Sequence, residues 1–462
     1  MRNSVVPKAF ARCITLLLIP AALLNSCKRP ENRPNILVIF TDDQTWQGIG
    51  YNNPEVKTPI LDELAAEGII FSHNYTASPI CTASRAAMMT GMFPQQNGTV
   101  ALNTDQFVNT YSRDTTLITL PRLFNRAGYE TWFAGKSHLG PPEDYGFRKG
   151  QITREYNDTA AFRLALDYIR TYGKGDRPFF FWLAPRQPHV PLHPAEKWLE
   201  MYDTAEISLG PNFRESPEML SMYNQGLPGE IFFRDSKYTD NWKNLPAGPP
   251  RSAGVIKDYT KAYYATISHL DHQVGVLMDA LEEKGLARNT VIIFLSDNGY
   301  FLGHHGLGNK LTMHEESVRV PLFIHWSGLK NKGVRCDELV SSLDVIPTVL
   351  ELAGIRVPDN VMGSSLVPLL DDPATPIHDW VASESVGVGG ARGQGHRMVR
   401  NKQWKYILTG VNEEALFEET ADPAELDNLV LKEPATADQM RRLMIEWMNQ
   451  TGDRHRRPPV HE

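Results

Sequence analysis

Two seven-residue stretches, Asn35–Thr41 (NILVIFT) and Thr290–Ser296 (TVIIFLS), constrain this chain more than any other part of it. Each is apolar nearly throughout, without the every-second-residue alternation of a strand with one wet face. Such runs predict strands covered on both faces, the environment of a parallel sheet between helices. Each run also leads into side-chain oxygens: Asp42-Asp43 after the first, Asp297-Asn298-Gly299 after the second. In open α/β sheets ligands bind beyond the carboxyl ends of the strands. Four oxygen-bearing side chains delivered there suit a hard divalent cation, Ca²⁺ or Mg²⁺. One such pair alone would be a turn; two, after two buried strands, favour the cation.

The chain between them keeps the same rhythm. Pro59–Gly68 places Ile60, Leu61, Leu64 and Ala65 on one helical face and ends at glycine. Residues 117–127 predict a helix closed by Gly128, followed by a strand in YETWFAG. DTAAFRLALDYIRTY predicts a helix with Asp158 as its cap, followed by the strand PFFFWLA, and Val255–Lys284 predicts a long helix ahead of TVIIFLS. This alternation predicts the fold class α/β: a large, mainly parallel sheet sandwiched by helices. Residues 190–252 break the rhythm with Pro, Gly and aromatic residues and read as a loop-rich insertion. A second break, DDPATP near Asp371, divides the chain. Residues 34–372 are expected to form the catalytic domain, and residues 373–462 a smaller C-terminal α+β subdomain with an antiparallel sheet and a closing helix, Ala435–Asn449.

The amino terminus reads as an export signal. Arg2, Lys8 and Arg12 accompany an apolar stretch, Ile14–Leu24, too short to span a bilayer. It ends in LNSC, which resembles the bacterial lipoprotein cleavage box. That resemblance implies a signal peptide over 1–27, a membrane anchor through lipid on Cys27, and a polar tether over 28–33. The expected location is the periplasm or the outer-membrane surface of a bacterium. A net charge of −7 with no basic block argues against a nucleic-acid partner.

Of four cysteines, Cys13 and Cys27 belong to the leader, which leaves Cys81 and Cys336. A disulfide between those two is the plainest structural alternative. The context of Cys81 argues against it. SPICTASRAAMMTG sets it among polar residues just before a predicted helix, where free N–H groups and the helix dipole lower a thiol pKa and favour anions. Arg85 follows one helical turn later. A soft thiolate is nevertheless a poor partner for a hard cation, so the sulfur reads as the precursor of another species.

CTASR followed by AAMMTG resembles the Cys-x-Ala-x-Arg signature of the formylglycine-dependent sulfatases, the type I sulfatases of the alkaline phosphatase-like superfamily. RPNILVIFTDDQ, AGKSHLG, PHVP, LSDNG, HHGLGNKLTMHEES, SSLDVIPTVLELAG and KYILTG with ALFEETADPAELDNL resemble further motifs of that family, in order along the chain. The resemblance implies that a formylglycine-generating maturation enzyme oxidises Cys81 to an aldehyde, whose hydrate offers oxygen instead of sulfur. It implies a cation, Ca²⁺ or else Mg²⁺, held by Asp42, Asp43, Asp297, Asn298 and residue 81. Arg85 would steady the formylglycine oxygens, and Lys136 and Lys310 would grip the sulfate. His138 would take the proton whose loss expels sulfate, and His189 would be the acid at the leaving oxygen. His304 and His305, close after the second acidic pair, and Arg392 and His396, in the loop VGGARGQGH, are candidates for substrate binding. The implied activity is hydrolysis of a sulfate monoester on a sulfated carbohydrate: a glycosaminoglycan, a mucin or an algal glycan. Two alternatives compete with it, a phosphonate or phosphate ester hydrolase of the same superfamily and a non-catalytic surface glycan-binding lipoprotein.

Overall fold

The computed structural model describes Met1 and residues 33–102, 118–173, 177–215, 252–386 and 395–460. The leader with Cys27, most of the tether, residues 216–251 of the insertion and Arg392 lie outside the described residues. Among the described residues no helix is long and apolar enough to cross a membrane.

Asn35–Thr41 is β1 and Thr290–Ser296 is β6, and every residue of both is buried. Between them come Ile69–Tyr75 (β2), Glu130–Gly135 (β3), Lys149–Ile152 (β4) and Phe179–Ala184 (β5). Phe301–Leu302 (β7) and Gly308–Asn309 (β8) pair with each other, and Leu322–His325 (β9) and Val334–Ser341 (β10) follow. The main sheet runs β10-β2-β9-β6-β1-β5-β3-β4. Its pairings are parallel except those of β9, which lies antiparallel between β2 and β6.

The lack of alternation in β1 has the expected cause. Ile36, Val38 and Phe40 point into one apolar layer with Phe180, Trp182 and Met88. Leu37 and Ile39 point into the other, with Phe181, Phe294 and the residues Leu270, Val274 and Leu277 of the long helix Ala253–Glu283. Burying each such side chain is worth about 1.5–3 kcal/mol, and neither side of the strand has a solvent face where a polar residue would be cheap.

Helices form at Pro59–Ala66, Leu120–Arg126 and Thr159–Thr171, close to their predicted spans. Asp158 stands at the N-cap position that the sequence suggested, but its side chain makes no capping hydrogen bond. Its backbone is left-handed (φ 55°), and its carboxylate instead accepts hydrogen bonds from Arg186 N at 2.8 Å and Gln187 N at 2.7 Å. Arg33, at the end of the expected tether, is docked on Tyr129 and on Ala127 O. In the insertion, Trp198 packs on the rings of His269 and His272.

Val381–Ser385 (β11), His396–Arg400 (β12), Trp404–Leu408 (β13) and Glu414–Glu418 (β14) make a four-stranded antiparallel sheet. One face carries the closing helix Pro434–Thr451 through Tyr406, Leu408, Leu416, Met440, Met444 and Trp447. The other face, through Met398, Ile407, Ala415 and Phe417, packs on Tyr75, Leu307, Leu311 and Met313.

Candidate active site

Four neighbouring parallel strands end at one place. Thr41 and Ser296 are in register across β1 and β6, so Asp42-Asp43 and Asp297-Asn298 leave the sheet side by side. Gly135 and Ala184 are in register across β3 and β5, and Lys136 N donates to Ala184 O at 2.8 Å. That pairing brings Lys136 and His138 alongside the turn that carries His189. Gly135 has φ 117°, and a Cβ there would lie 2.0 Å from Ala184 O, so only glycine lets the strands stay this close. Cys81 enters from the side as the first residue of the helix Cys81–Thr90, after β2. Thr76 fastens that entry: its hydroxyl donates to Asp297 O at 2.7 Å and lies 3.2 Å from Ser84 Oγ. Lys310 arrives directly after β8.

The charges interlock. Arg85 donates to Asp297 Oδ2 at 2.7 Å and to Lys136 O at 2.9 Å, and lies 3.5 Å from Asp42 Oδ1. Lys136 pairs with Asp42, and Lys310 pairs with Asp43 while its ammonium stands 2.9 Å from Cys81 Sγ. Asn298 Nδ2 donates to Asp43 Oδ1 at 2.8 Å, and Asp43 N to Asp297 Oδ1 at 3.1 Å. Burial alone would raise the Asp42 pKa, but Lys136, His189 and Arg85 outweigh it and hold Asp42 well below the usual carboxylate range. Asp297 is different: burial and the neighbouring Asp42 push it up to about 7 despite Arg85.

The expectation of a lowered thiol pKa at Cys81 fails. Burial outweighs Lys136 and Lys310 and pushes the thiol up to about 12, so the sulfur is held neutral and is a weak nucleophile as it stands. Cys81 and Cys336 are both free thiols, which removes the disulfide alternative. His138 and His189 are both kept neutral, first by burial and then by Lys136. His138 Nδ1 is buried with no hydrogen-bond partner. His189 Nδ1 meets its neighbour Val190 O, which leaves Nε2 3.7 Å from Asp43 Oδ2.

The donor set fits a hard cation. Asp42 Oδ1, Asp43 Oδ2 and Asn298 Oδ1 are all buried without a hydrogen-bond partner, and oxygens in that condition normally have a ligand to satisfy. Ligand atoms of Asp42, Asp43, Cys81 and His189 all lie within 4.8 Å of one another. His189 was not expected in that group, whereas Asp297 has its carboxylate turned to Arg85 and to the Asp43 amide.

Three of the candidate substrate residues, His304, His305 and His396, are among the described residues. His304 accepts from Leu302 N at 3.3 Å and lines a cavity of about 330 Å³ with Asn52, Asn53, Glu55 and Tyr264. His305 stacks on His314 with ring centroids 4.2 Å apart, and its Nε2 lies 3.0 Å from Asn212 Nδ2. His396 is buried within β12 beside Arg397. One residue the sequence reading missed is Tyr263. Its hydroxyl donates to Asp43 O at 2.6 Å and accepts from Thr45 N at 3.0 Å, which fixes a backbone whose φ is 65°. Its place on the inner face of the long helix was the available signal.

Comparison with known proteins gives the following. Residues 34–355 match the family model described as Sulfatase, and residues 303–452 match the one described as N-sulphoglucosamine sulphohydrolase, C-terminal. A relative called N-acetylglucosamine-6-O-sulfatase, from Bacteroides thetaiotaomicron, is 27% identical over 90% of this chain and 87% of its own length. A solved structure of a protein in complex with its substrate D-glucosamine-2-N,6-O-disulfate superposes with a TM-score of 0.74 at 23% identity, covering 91% of this chain and 98% of that one. A phosphonate monoester hydrolase of Agrobacterium radiobacter superposes with a TM-score of 0.75 at 20% identity, covering 91% and 96%, and shares the fold.

Proposed function

The chain belongs to the sulfatase family and is a sulfuric ester hydrolase, and on that premise we propose that it removes sulfate from a carbohydrate, with residue 81 matured to formylglycine beside a calcium ion. The observation that carries this reading is the convergence of Asp42, Asp43, Asp297, Arg85, Lys136 and Lys310, all buried, on one thiol. Support for the carbohydrate comes from the relative called an N-acetylglucosamine-6-O-sulfatase and from another called ulvan-active.

A divalent cation held by the oxygens of Asp42, Asp43 and Asn298 would supply Lewis acidity, and formylglycine at residue 81, once hydrated, would offer a diol oxygen as nucleophile in place of a neutral thiol. The protein's own groups do the rest. Lys136 and Lys310 hold the sulfate oxygens and balance the charge that builds on them, an effect enlarged in a site where both ammonium groups are buried. Arg85, fixed by Asp297 and by Lys136 O, keeps residue 81 in place. His138, neutral and with a free Nδ1, accepts a proton from residue 81. His189, neutral at rest, would take up a proton before giving it to the departing alcohol, an assistance worth about 10²–10⁴-fold. Under the same proposal the leader exports the protein, Cys27 carries a lipid, and a maturation enzyme acts on Cys81 before folding buries it.

Mass analysis of the peptide spanning residue 81, from exported protein, is the direct test. An aldehyde mass and hydrazide reactivity are expected; an intact thiol in active protein would end the proposal. Turnover of defined sulfated saccharides, set against an aryl sulfate and an aryl phosphonate, then assigns the substrate.

A further inference from the structure

Lys310 stands between two residues with left-handed backbone, Asn309 (φ 64°) and Leu311 (φ 88°). Asparagine adopts that conformation readily, but leucine is strained in it, and such strain persists only where the surroundings over-determine it. The restraint lies immediately downstream, in contacts with the C-terminal sheet. Leu311 and Met313 are buried against Met398, Ile407, Ala415 and Phe417. His314 Nδ1 lies 2.9 Å from Glu425 Oε2, and the same oxygen accepts from Glu315 N at 2.9 Å. Lys405 donates to Glu315 Oε1 at 2.5 Å and to Glu425 Oε1 at 2.7 Å. Tyr75 donates to Glu315 Oε2 at 3.1 Å.

Glu315 opens the short helix Glu315–Val318, which rests on the turn of the second acidic pair. Gly299 N donates to Ser317 O at 2.8 Å, and a Cβ on Gly299 would lie 2.0 Å from Glu316 O. The same helix therefore abuts the backbone that carries Asp297 and Asn298. Glu315, Glu419 and Glu425 gather oxygens as a cation site would, but the Lys405 ammonium already lies among them, 3.6 Å from Glu419 as well. An ion could enter only by expelling it.

We propose that Lys405 and Glu425 are positioning residues for catalysis. Clamping His314 and Glu315, they hold the left-handed backbone on either side of Lys310 and the docked Asp297-Asn298 turn in place, although neither touches the reacting groups. The proposal rests on the sulfatase reading of the site, with Lys310 as a sulfate ligand.

Inhibition by inorganic sulfate, in competition with an aryl sulfate and in matured, metal-loaded protein, measures the grip of Lys310. Glu425→Gln is isosteric and is expected to weaken sulfate inhibition and kcat/KM about tenfold or more, as misplacement of a binding group does. Arg441→Met removes an ion pair with Glu414 (2.6 Å) on the opposite face of the same sheet. It is expected to lower Tm while leaving sulfate inhibition within about twofold. Unchanged sulfate inhibition in folded Glu425→Gln overturns the proposal, and so does an equal loss in Arg441→Met. Should Glu425→Gln fail to fold, Lys405→Arg, which keeps the charge but not its geometry, is judged by the same two outcomes. Wild-type protein that sulfate does not inhibit would overturn the underlying assignment of Lys310, a result distinct from wild-type inhibition that Glu425→Gln leaves intact.

Discussion

Among the described residues, three buried carboxylates gather with buried cations around Cys81 and again around Lys405. The ingredients are alike: Asp42, Asp43 and Asp297 with Arg85, Lys136 and Lys310 in the first, and Glu315, Glu419 and Glu425 with Lys405 and Arg400 in the second. They differ in what is left over. Around Lys405, both oxygens of Glu315 and both of Glu425 accept hydrogen bonds, and Glu419 Oε1 and Arg400 Nε, which have no hydrogen-bond partner, face opposite charges at 3.6 Å and 3.7 Å. Around Cys81, one oxygen each of Asp42, Asp43 and Asn298 has no donor, and the residues Asp43 and His138 hold left-handed backbones. Carboxylates locked by cations and donors make a strut; carboxylate and amide oxygens left over beside strained backbone make a place for chemistry.

The sharpest way to break this contrast is to alter each centre and read both rate and stability. Cys81→Ala is expected to cut aryl sulfate turnover by about 10⁴-fold or more, with the denaturation midpoint close to wild type. Lys405→Met leaves buried carboxylates uncompensated and is expected to cost about 3–5 kcal/mol in urea unfolding. A smaller unfolding loss than Cys81→Ala produces would erase the distinction between the centres. Calcium at a hundredfold excess over its Kd is expected to stabilise wild type by about 2.7 kcal/mol. That gain should vanish in Asp43→Asn and survive in Glu419→Gln, as thermal melts with and without chelator would report.

The smallest effect is on the acid side. Burial would raise the Glu315 pKa above its ordinary 4.5, but Lys405 and then Arg400 outweigh it and hold the group at about 2. A depressed folded pKa means stability that is full above the unfolded value and lost as pH falls through the folded one. Stability of wild type should therefore decline between about pH 4.5 and 2, and less steeply in Glu315→Gln, where one of the depressed groups is gone.

Much of the first centre could be read from the sequence because its parts sit at the ends of strands with an unmistakable pattern. NILVIFT and TVIIFLS have no polar interruptions, and their trailing Asp and Asn residues take their register from the strands. β2, β9 and β10 were not foreseen. IIFSHNY and VRCDELVS mix polar residues into the run, and LFIH is short and antiparallel, so neither period nor length marks them. The second centre has no local signature at all. Glu315 and Lys405 are 90 residues apart, and each alone reads as a solvated charge. His305 likewise has a neighbour that the sequence did not mark, since its ring lies on His314. Asp158 shows the same limit: it holds the N-cap position read from the sequence, but a turn 28 residues away takes its carboxylate.

The contact between Gly299 and the Glu316–Ser317 backbone closes residues 300–315 into a hoop whose two feet stand on one spot. Nearly all of its residues are buried, so the hoop takes its shape from the C-terminal sheet packed on it as well as from its feet. Deleting a single residue on the β8 side would swing the lysine away while the Asp297 turn stayed shut. A transplanted loop would therefore carry its lysine to the right place only together with the sheet that seats it.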